Sequence, residues 1–288
     1  MQPLTIGDCT ITSIMEWTGP FADPARMMPL STPEAVARHH GWMAPVHWDA
    51  GTGLLIMAFQ SFLIRTPRKT ILVDTCVGNH KERPARPNWH RQNWPWLDNL
   101  RAAGVTPEEI DLVLCTHLHV DHVGWNTRLV GGRWVPTFPN ARYLIARTEY
   151  DDLVAHPHPA GPIYEDSVLP IVEAGKADLV DANHEIDDGL WLEHTPGHTV
   201  GHVCIHLKSG GMHAVFIGDM MHHPVQVPNP QWSTAFCRDP AQAAATRVSF
   251  LERHIDTPSW IIPAHFAGGT AGRVKSGGDQ WRFDFHAA

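Results

Sequence analysis

Cysteine is scarce in this sequence and irregularly placed. The 288 residues contain five cysteines, an odd number spread along the whole chain: Cys9, Cys76, Cys115, Cys204 and Cys237. A disulfide framework needs pairs of cysteines, and a thiolate zinc site needs two or more of them at short spacing. The pattern argues against both arrangements and predicts buried, free thiols.

Clusters of basic residues and long apolar runs are also missing. Acidic residues outnumber Lys and Arg by 30 to 22, and the formal charge is −8, which disfavours a nucleic-acid partner. No apolar run approaches the length that spans a membrane, and Met1 to Thr12 has no basic segment followed by an apolar core. The expectation is a cytoplasmic protein without a membrane partner.

The chain length and the share of apolar residues are sufficient for one large domain. With 43% hydrophobic residues, the sequence can bury a continuous core. We expect a single domain over residues 1–288. Nine β-rich segments are predicted as strands: Cys9–Trp17, Leu54–Arg65, Thr70–Val73, Leu112–Cys115, Arg142–Ala146, Gly189–His194, Val203–Leu207, Ala214–Ile217 and Trp260–Ile262. Five segments are predicted as helices: Trp96–Ala103, Thr106–Glu109, Thr148–Val154, Glu165–Ala174 and Ala241–Ile255.

An arm of about residues 18–50 interrupts this regular pattern. It is rich in proline and in large apolar side chains such as Phe21, Trp42 and Trp48, and it is predicted to be irregular. Such a segment is expected to cover something, either the mouth of an active site or a second subunit in a homodimer. A surface wrap without a functional contact is the alternative.

A cluster of histidines follows the buried strand predicted at Leu112–Cys115. His117, His119 and His122 lie with Asp121 within six residues, and His117 and His119 project to the same side of an extended segment. Imidazoles and carboxylates are the usual ligands of zinc and its first-row neighbours. The cluster therefore predicts a metal site.

The order His-x-His-x-Asp-His resembles the signature of the metallo-β-lactamase superfamily. Three further motifs of that family follow, at Thr195–His202, Val215–Asp219 and Ile261–His265, and they supply His198, Asp219 and His265. The resemblance implies an αββα sandwich, a mixed α/β fold of two mixed β-sheets flanked by helices, and the alternation of strands and helices in two halves agrees with it.

The resemblance also implies how the metal ligands divide. His117, His119 and His198 would make one site, Asp121, His122 and His265 the other, and Asp219 would bridge two divalent ions. Zinc is the first expectation for these ions, with manganese, iron and cobalt as alternatives. Asp74, at the end of a strand, would support the cluster by fixing a ligand or its loop.

The function implied by this arrangement is hydrolysis of a small molecule. A hydroxide bridging two metals would attack a lactone or ester, and the apolar arm favours a substrate with an apolar acyl or aryl part. The predicted catalytic residues are Asp121, which is also a ligand, and His222. Lactonases of the family carry a tyrosine where this chain has His222, and an imidazole can also donate a hydrogen bond or protonate an alkoxide.

Other functions use the same ligands. A phosphotriesterase is the first alternative, followed by a β-lactamase, a glyoxalase II-like thioesterase, a mononuclear iron dioxygenase and a binding protein without turnover. A closed structural zinc site is disfavoured, because such sites favour cysteine and no cysteine belongs to the set.

Overall fold

The computed structural model describes residues 3–157, 159–278 and 280–286. The chain divides into two compact units. The central unit contains residues 3–17 and 59–184, and the C-terminal unit contains the described residues of 18–58 and 185–286. The single domain expected over residues 1–288 stays a prediction.

The first β-sheet is mixed and has eight strands. Its strands are β1 (Leu4–Ile6), β2 (Cys9–Ala22), β3 (Trp48–Asp49), β4 (Leu54–Arg65), β5 (Thr70–Val73), β6 (Leu112–Leu114), β9 (Arg142–Ala146) and β10 (Ala177–Val180). Strands β5, β6, β9 and β10 run parallel in that order, while β4 pairs antiparallel with β5. A separate antiparallel hairpin consists of β7 (Thr127–Val130) and β8 (Arg133–Pro136). The hairpin predicted at Leu54–Arg65 and Thr70–Val73 has the predicted bounds.

The second β-sheet is also mixed and has seven strands, adjacent in sequence order. They are β11 (Glu185–Asp187), β12 (Leu190–His194), β13 (Val203–Ser209), β14 (Met212–Phe216), β15 (Trp260–Ile262), β16 (Gly272–Gly277) and β17 (Gln280–Phe285). Only the pair β14 and β15 is parallel among the pairings of these strands. The hairpin of β16 and β17 is absent from the predicted strands, although Trp281, Phe283 and Phe285 alternate with polar residues, as is typical of a half-buried strand.

Seven α-helices connect the strands in the described part of the chain. They are α1 (Pro24–Met27), α2 (Pro33–Ala37), α3 (His40–Met43), α4 (Trp96–Ala102), α5 (Arg147–Ala155), α6 (Leu169–Glu173) and α7 (Pro240–His254). The helix predicted at Glu165–Ala174 is a π-helical turn, Tyr164–Val168, that continues into α6. The capping box predicted at Thr106 is present and starts a 3₁₀ turn, Pro107–Glu109.

The prediction of an irregular arm over residues 18–50 was wrong in its local structure. Strand β2 continues to Ala22. Helices α1 and α2 each begin at a proline, and the residues before them, Asp23 and Thr32, cap the helices by accepting a hydrogen bond from a backbone N–H of the first turn. Met27 and Met43 are fully buried, and the backbone of Met27 accepts a hydrogen bond from Ala235 at 2.8 Å. The arm is therefore an integral part of the core of the C-terminal unit.

Each unit has its own apolar core. In the central unit, Trp96 and Leu100 of α4 pack on the first sheet together with Leu72 and Val113. In the C-terminal unit, Phe250 and Leu251 of α7 pack with Val215 and Ile261 of the second sheet. One face of each sheet is therefore covered by a helix, as the predicted fold class requires. None of the helices in the described residues is long and apolar enough to cross a membrane.

Candidate metal centre

The loop after β6 brings four predicted ligands together in the central unit. The rings of His117 and His119 have centroids 4.6 Å apart, and those of His117 and His122 are 4.0 Å apart. His117 and His122 are buried, while His119 and Asp121 are half-buried. This half-site therefore consists of three imidazole groups and one carboxylate, and His119 and Asp121 are its more exposed members.

Asp74 fixes this loop through three hydrogen bonds. Its carboxylate accepts from the backbone and the hydroxyl of Thr116 and from Nδ1 of His122, each at 2.8 Å. Because Nδ1 of His122 donates to Asp74, the lone pair of that ring lies on Nε2. The hydroxyl of Thr116 also lies 3.1 Å from Nδ1 of His117. Asp74 thus takes the supporting position that the sequence predicted.

The remaining predicted ligands meet around Asp219 in the C-terminal unit. Nε2 of His265 lies 2.9 Å from Oδ1 of Asp219, and Nε2 of His198 lies 3.2 Å from Oδ2. Nε2 of His222 is 3.1 Å from the same Oδ2 atom. Three imidazole nitrogens therefore converge on one carboxylate, and all four residues are buried.

Groups outside this half-site fix the far side of its rings. Nδ1 of His265 donates to the backbone oxygen of Ala58 at 2.8 Å, and Nδ1 of His198 lies 3.7 Å from Sγ of Cys237. The backbone N–H of Asp219 donates to Nε2 of His202 at 3.1 Å. These contacts leave the Nε2 atoms of His198 and His265 as the nitrogens that face Asp219.

The turn that carries His198 is packed against the start of α7. Gly197 has φ +128°, and a Cβ atom there would lie 2.3 Å from the backbone nitrogen of Ala243. The backbone of Gly197 also accepts a hydrogen bond from Asp239, and that of His198 accepts one from Arg238 at 2.8 Å. Only glycine fits this close approach, which explains the Pro-Gly-His sequence.

The pKa values reflect the burial of this half-site and the charge on Asp219. Burial alone would lower the pKa of His198, but the Asp219 carboxylate raises it to about 9. For His222, burial outweighs the same carboxylate and lowers the pKa to about 4. His222 is therefore a neutral imidazole near pH 7, which still carries one N–H donor.

The donor set fits divalent metal ions. His122 and His265 have Nδ1 fixed by outward hydrogen bonds to a carboxylate and a carbonyl oxygen, which are the usual partners of metal-bound histidine. Their Nε2 lone pairs are thereby directed inward, beside the carboxylates of Asp121 and Asp219. Neutral imidazole and carboxylate ligands suit zinc and its first-row neighbours.

Several supporting residues were not identified from the sequence. In the central unit the buried carboxylate of Glu16 accepts hydrogen bonds from Val77, Gly78 and Trp125, and Glu149 accepts one from the backbone of Leu118. Burial raises the pKa of Glu16 to about 7 despite these hydrogen bonds. In the C-terminal unit, His202 and Cys237 have supporting positions of the same kind. Only His202 lies within a recognised motif, so only its position carried a signal.

A comparison with known families assigns the chain. The family model described as the metallo-beta-lactamase superfamily matches residues 60–265. The chain belongs to the metallo-β-lactamase superfamily. This result confirms the predicted family, and it confirms the fold class, a mixed α/β fold with two mixed sheets flanked by helices.

Relatives of this superfamily member include lactonases. An N-acyl homoserine lactonase from Bacillus sp is 27% identical over 161 residues, which are 52% of this chain and 58% of the relative. The chain thus matches little more than half the length of such lactonases. The metallo-beta-lactamase domain-containing protein 1 of Xenopus laevis is 29% identical over 222 residues, 75% of this chain and 74% of that protein.

Solved structures of the superfamily share the fold over nearly the whole chain. A crystal structure of the hydrolase AbOPH has a TM-score of 0.81 and 23% identity, covering 99% of this chain and 97% of that one. AidC, a dizinc quorum-quenching lactonase solved with N-hexanoyl-L-homoserine, has a TM-score of 0.76 and 20% identity, covering 100% and 97%. Family and relatives together support the predicted enzyme class, a metal-dependent hydrolase.

Proposed function

We propose that the chain is a dinuclear metal hydrolase that opens a lactone or cleaves an ester with an apolar acyl or aryl part. The observation that carries the proposal is the set of donors around Asp219, with Nε2 atoms of His198 and His265 within 3.2 Å of its carboxylate. The lactonase relatives support the choice of a lactone or ester.

In this proposal the two half-sites act as one centre. His117, His119 and His198 would hold one divalent ion, Asp121, His122 and His265 the other, and Asp219 would bridge them. Two such ions would acidify a water molecule and polarise the bond under attack. Zinc is the proposed metal, in line with AidC being a dizinc lactonase. The substrate is the proposed partner, and no nucleic acid or membrane partner is proposed.

The chain's own residues would manage protons and the leaving group. Asp121, the half-buried carboxylate of the half-site in the central unit, would accept the proton released by the attacking water. His222 would donate its N–H to the substrate carbonyl oxygen or to the departing alkoxide. A neutral imidazole can do this, because it retains one N–H donor.

One aromatic side chain lies beside this donor. The ring of the half-buried Phe236 is 6.0 Å from that of His222, so a substrate held there would place part of its apolar body against Phe236. Such contact favours acyl or aryl groups over sugars or nucleotides, because burying apolar area stabilises the complex.

A parallel assay tests the proposal. Protein loaded with zinc or with manganese would be given an acyl-homoserine lactone, an aryl ester and an organophosphate triester, with Asp219→Ala as the inactive control. We expect turnover of the lactone or the ester with a higher kcat/KM than that of the triester. A clear preference for the triester would replace the proposal with a phosphotriesterase, and oxygen consumption with one iron per chain would replace it with a dioxygenase.

A further inference from the structure

Cys237 contacts the outward-facing nitrogen of His198, a proposed metal ligand. It is a thiol, whereas His122 and His265 contact oxygen atoms at the corresponding nitrogen. His122 donates from Nδ1 to the Asp74 carboxylate at 2.8 Å, and His265 donates to the Ala58 carbonyl at 2.8 Å. Nδ1 of His198 instead lies 3.7 Å from the Cys237 thiol. A thiol sulfur is a weaker acceptor than either oxygen.

The contact is built into the fold of the C-terminal unit. Cys237 is 9% exposed, and its Sγ is also 3.5 Å from Oγ1 of Thr234. The next residue, Arg238, donates its backbone N–H to the backbone oxygen of His198 at 2.8 Å. The segment that carries the thiol is therefore fixed to the segment that carries the imidazole.

The direction of these hydrogen bonds follows from the chemistry of the ring. Nε2 of His198 faces Asp219 and must carry the lone pair if it is to bind a cation, so the proton lies on Nδ1. Nδ1–H then donates to Sγ of Cys237, and the thiol proton is free to donate to Oγ1 of Thr234. A thiol proton directed at Nδ1 would place the ring proton on Nε2, which is the wrong tautomer for a ligand.

We propose that Cys237 is a positioning residue that sets the tautomer and orientation of His198, and thereby makes the ion bound by His198 the more weakly held of the two. The inference rests on the proposed dinuclear function, because it concerns one ligand of that centre. It assigns to Cys237 a role in metal affinity rather than in bond cleavage, since its thiol contacts a ligand and not the reacting atoms.

Three substitutions at Cys237 distinguish the effect of its hydrogen-bond acceptor from the effect of its side-chain size. Cys237→Ala removes this acceptor from Nδ1–H of His198, and we expect the affinity for one ion to fall about 10-fold, the lower end of the usual effect of losing a partner of a metal-bound histidine, because the thiol is a weak acceptor. Cys237→Asp supplies a carboxylate like that of Asp74 and should hold this ion more tightly than the wild type does. Cys237→Ser keeps an acceptor but places it on a shorter bond, farther from Nδ1 of His198, so its affinity should lie between those of the alanine variant and the wild type.

The measurement is metal binding by the chain of residues 1–288. Zinc affinity of both ions is obtained by competition with a chromophoric chelator, and cobalt substitution gives a visible spectrum that reports changes around one ion. Cys9→Ala, which removes another buried thiol, is the matched control and should leave both affinities unchanged. Circular dichroism shows whether each variant is folded, and Cys237→Ser replaces Cys237→Ala if alanine prevents folding.

The possible results are distinguishable. A selective loss of one ion in Cys237→Ala, reversed in Cys237→Asp, supports the proposal. Wild-type affinity for both ions in all three variants overturns the role of Cys237, while the dinuclear proposal stands. A wild-type protein that binds fewer than two ions after loading contradicts the dinuclear centre itself. An equal loss of both ions, with lower thermal stability, shows that Cys237 acts on the fold and also overturns the inference.

Discussion

At the scale of single residues, Asp219 has the most consequential contacts of the C-terminal unit. Its two oxygens lie within 3.2 Å of three imidazole nitrogens, from His198, His222 and His265. We expect Asp219→Ala to reduce bound metal from two ions to one or none and to lower kcat/KM by roughly 10²-fold to 10³-fold. Elemental analysis and steady-state kinetics test this expectation. A fully active variant with two ions would contradict the bridging role.

His222 is the residue at which this chain differs from the lactonase pattern. Its role as a proton donor can be tested by how the loss of kcat depends on the leaving group. His222→Ala should lower kcat by roughly 10²-fold to 10⁴-fold on lactones, the range for a positioned proton donor. The loss should be smaller on nitrophenyl esters, whose leaving group departs without a proton. His222→Tyr should keep more lactone activity than His222→Ala. Equal losses on both substrates, or losses that follow metal content, would exclude the donor role, because Nε2 of His222 also lies 3.1 Å from Asp219.

At the scale of elements, the packing of Gly197 on α7 determines where His198 lies. Gly197→Ala would place a Cβ atom 2.3 Å from the nitrogen of Ala243 and 2.5 Å from its Cα, at a φ of +128°. We expect a loss of roughly 2 to 4 kcal/mol in the free energy of unfolding together with weaker metal binding. Gly211→Ala is the control. Gly211 has φ +75° with open space around it, so that variant should lose only about 1 kcal/mol. Equal losses in the two variants would show that the close approach to α7 is unimportant.

The second sheet and α7 share a histidine cluster that should make stability depend on pH. Burial, together with neighbouring positive groups, lowers the pKa of His213 and of His254 to about 4. Both are therefore neutral in the folded state, and their contribution to stability is complete above the unfolded value of about 6.5 and is lost as pH falls toward 4.

His254→Phe tests this dependence. The ring of His254 packs on Phe250 at 4.3 Å, so phenylalanine keeps the packing and removes the titration. The melting temperature of the variant should decline less than that of the wild type between pH 6.5 and pH 4. Parallel curves for wild type and His254→Phe would contradict the assignment.

At the scale of the whole molecule, the exposed apolar side chains of the arm are the candidate contacts of the predicted homodimer. Leu30, Trp42 and Val46 are 67%, 44% and 43% exposed, although the arm buries its methionines. The homodimer through the arm stays a prediction. If it forms, replacing these three residues by serine should yield monomers in analytical ultracentrifugation without loss of metal. An unchanged sedimentation coefficient, monomeric or dimeric, would contradict the arm as the dimer contact.

Metal removal is expected to affect the stability of the whole molecule. Asp219 and the three buried imidazoles around it form a donor set that a bound divalent ion would stabilise. A chelator should therefore lower the melting temperature, and added zinc should restore it. The Asp219→Ala variant should respond less to both treatments. An equal response would locate the stabilising ion elsewhere.

The sequence by itself predicted the candidate ligands, the family and nine of the 17 strands in the described residues. Ligands within one short motif, such as His117 and His119, are visible because a strand end places them together whatever the rest of the chain does. The same holds for the hairpin of β4 and β5 and for the proline and caps that start α7. In each case the physical cause is local and is therefore encoded locally.

The way in which the candidate ligands are held follows from tertiary contacts between distant segments. Ala58 and His265 are 207 positions apart, and Cys237 and His198 are 39 positions apart. No local sequence pattern therefore predicts either contact. One partner is a backbone oxygen, which every residue has, and the other is a thiol among five buried ones. The arm misled for a related reason, since its prolines indicate an irregular segment while N-caps and packing turn it into short helices. Contacts between distant segments depend on how whole elements pack, and that packing determines which nitrogen of each histidine faces the metal site.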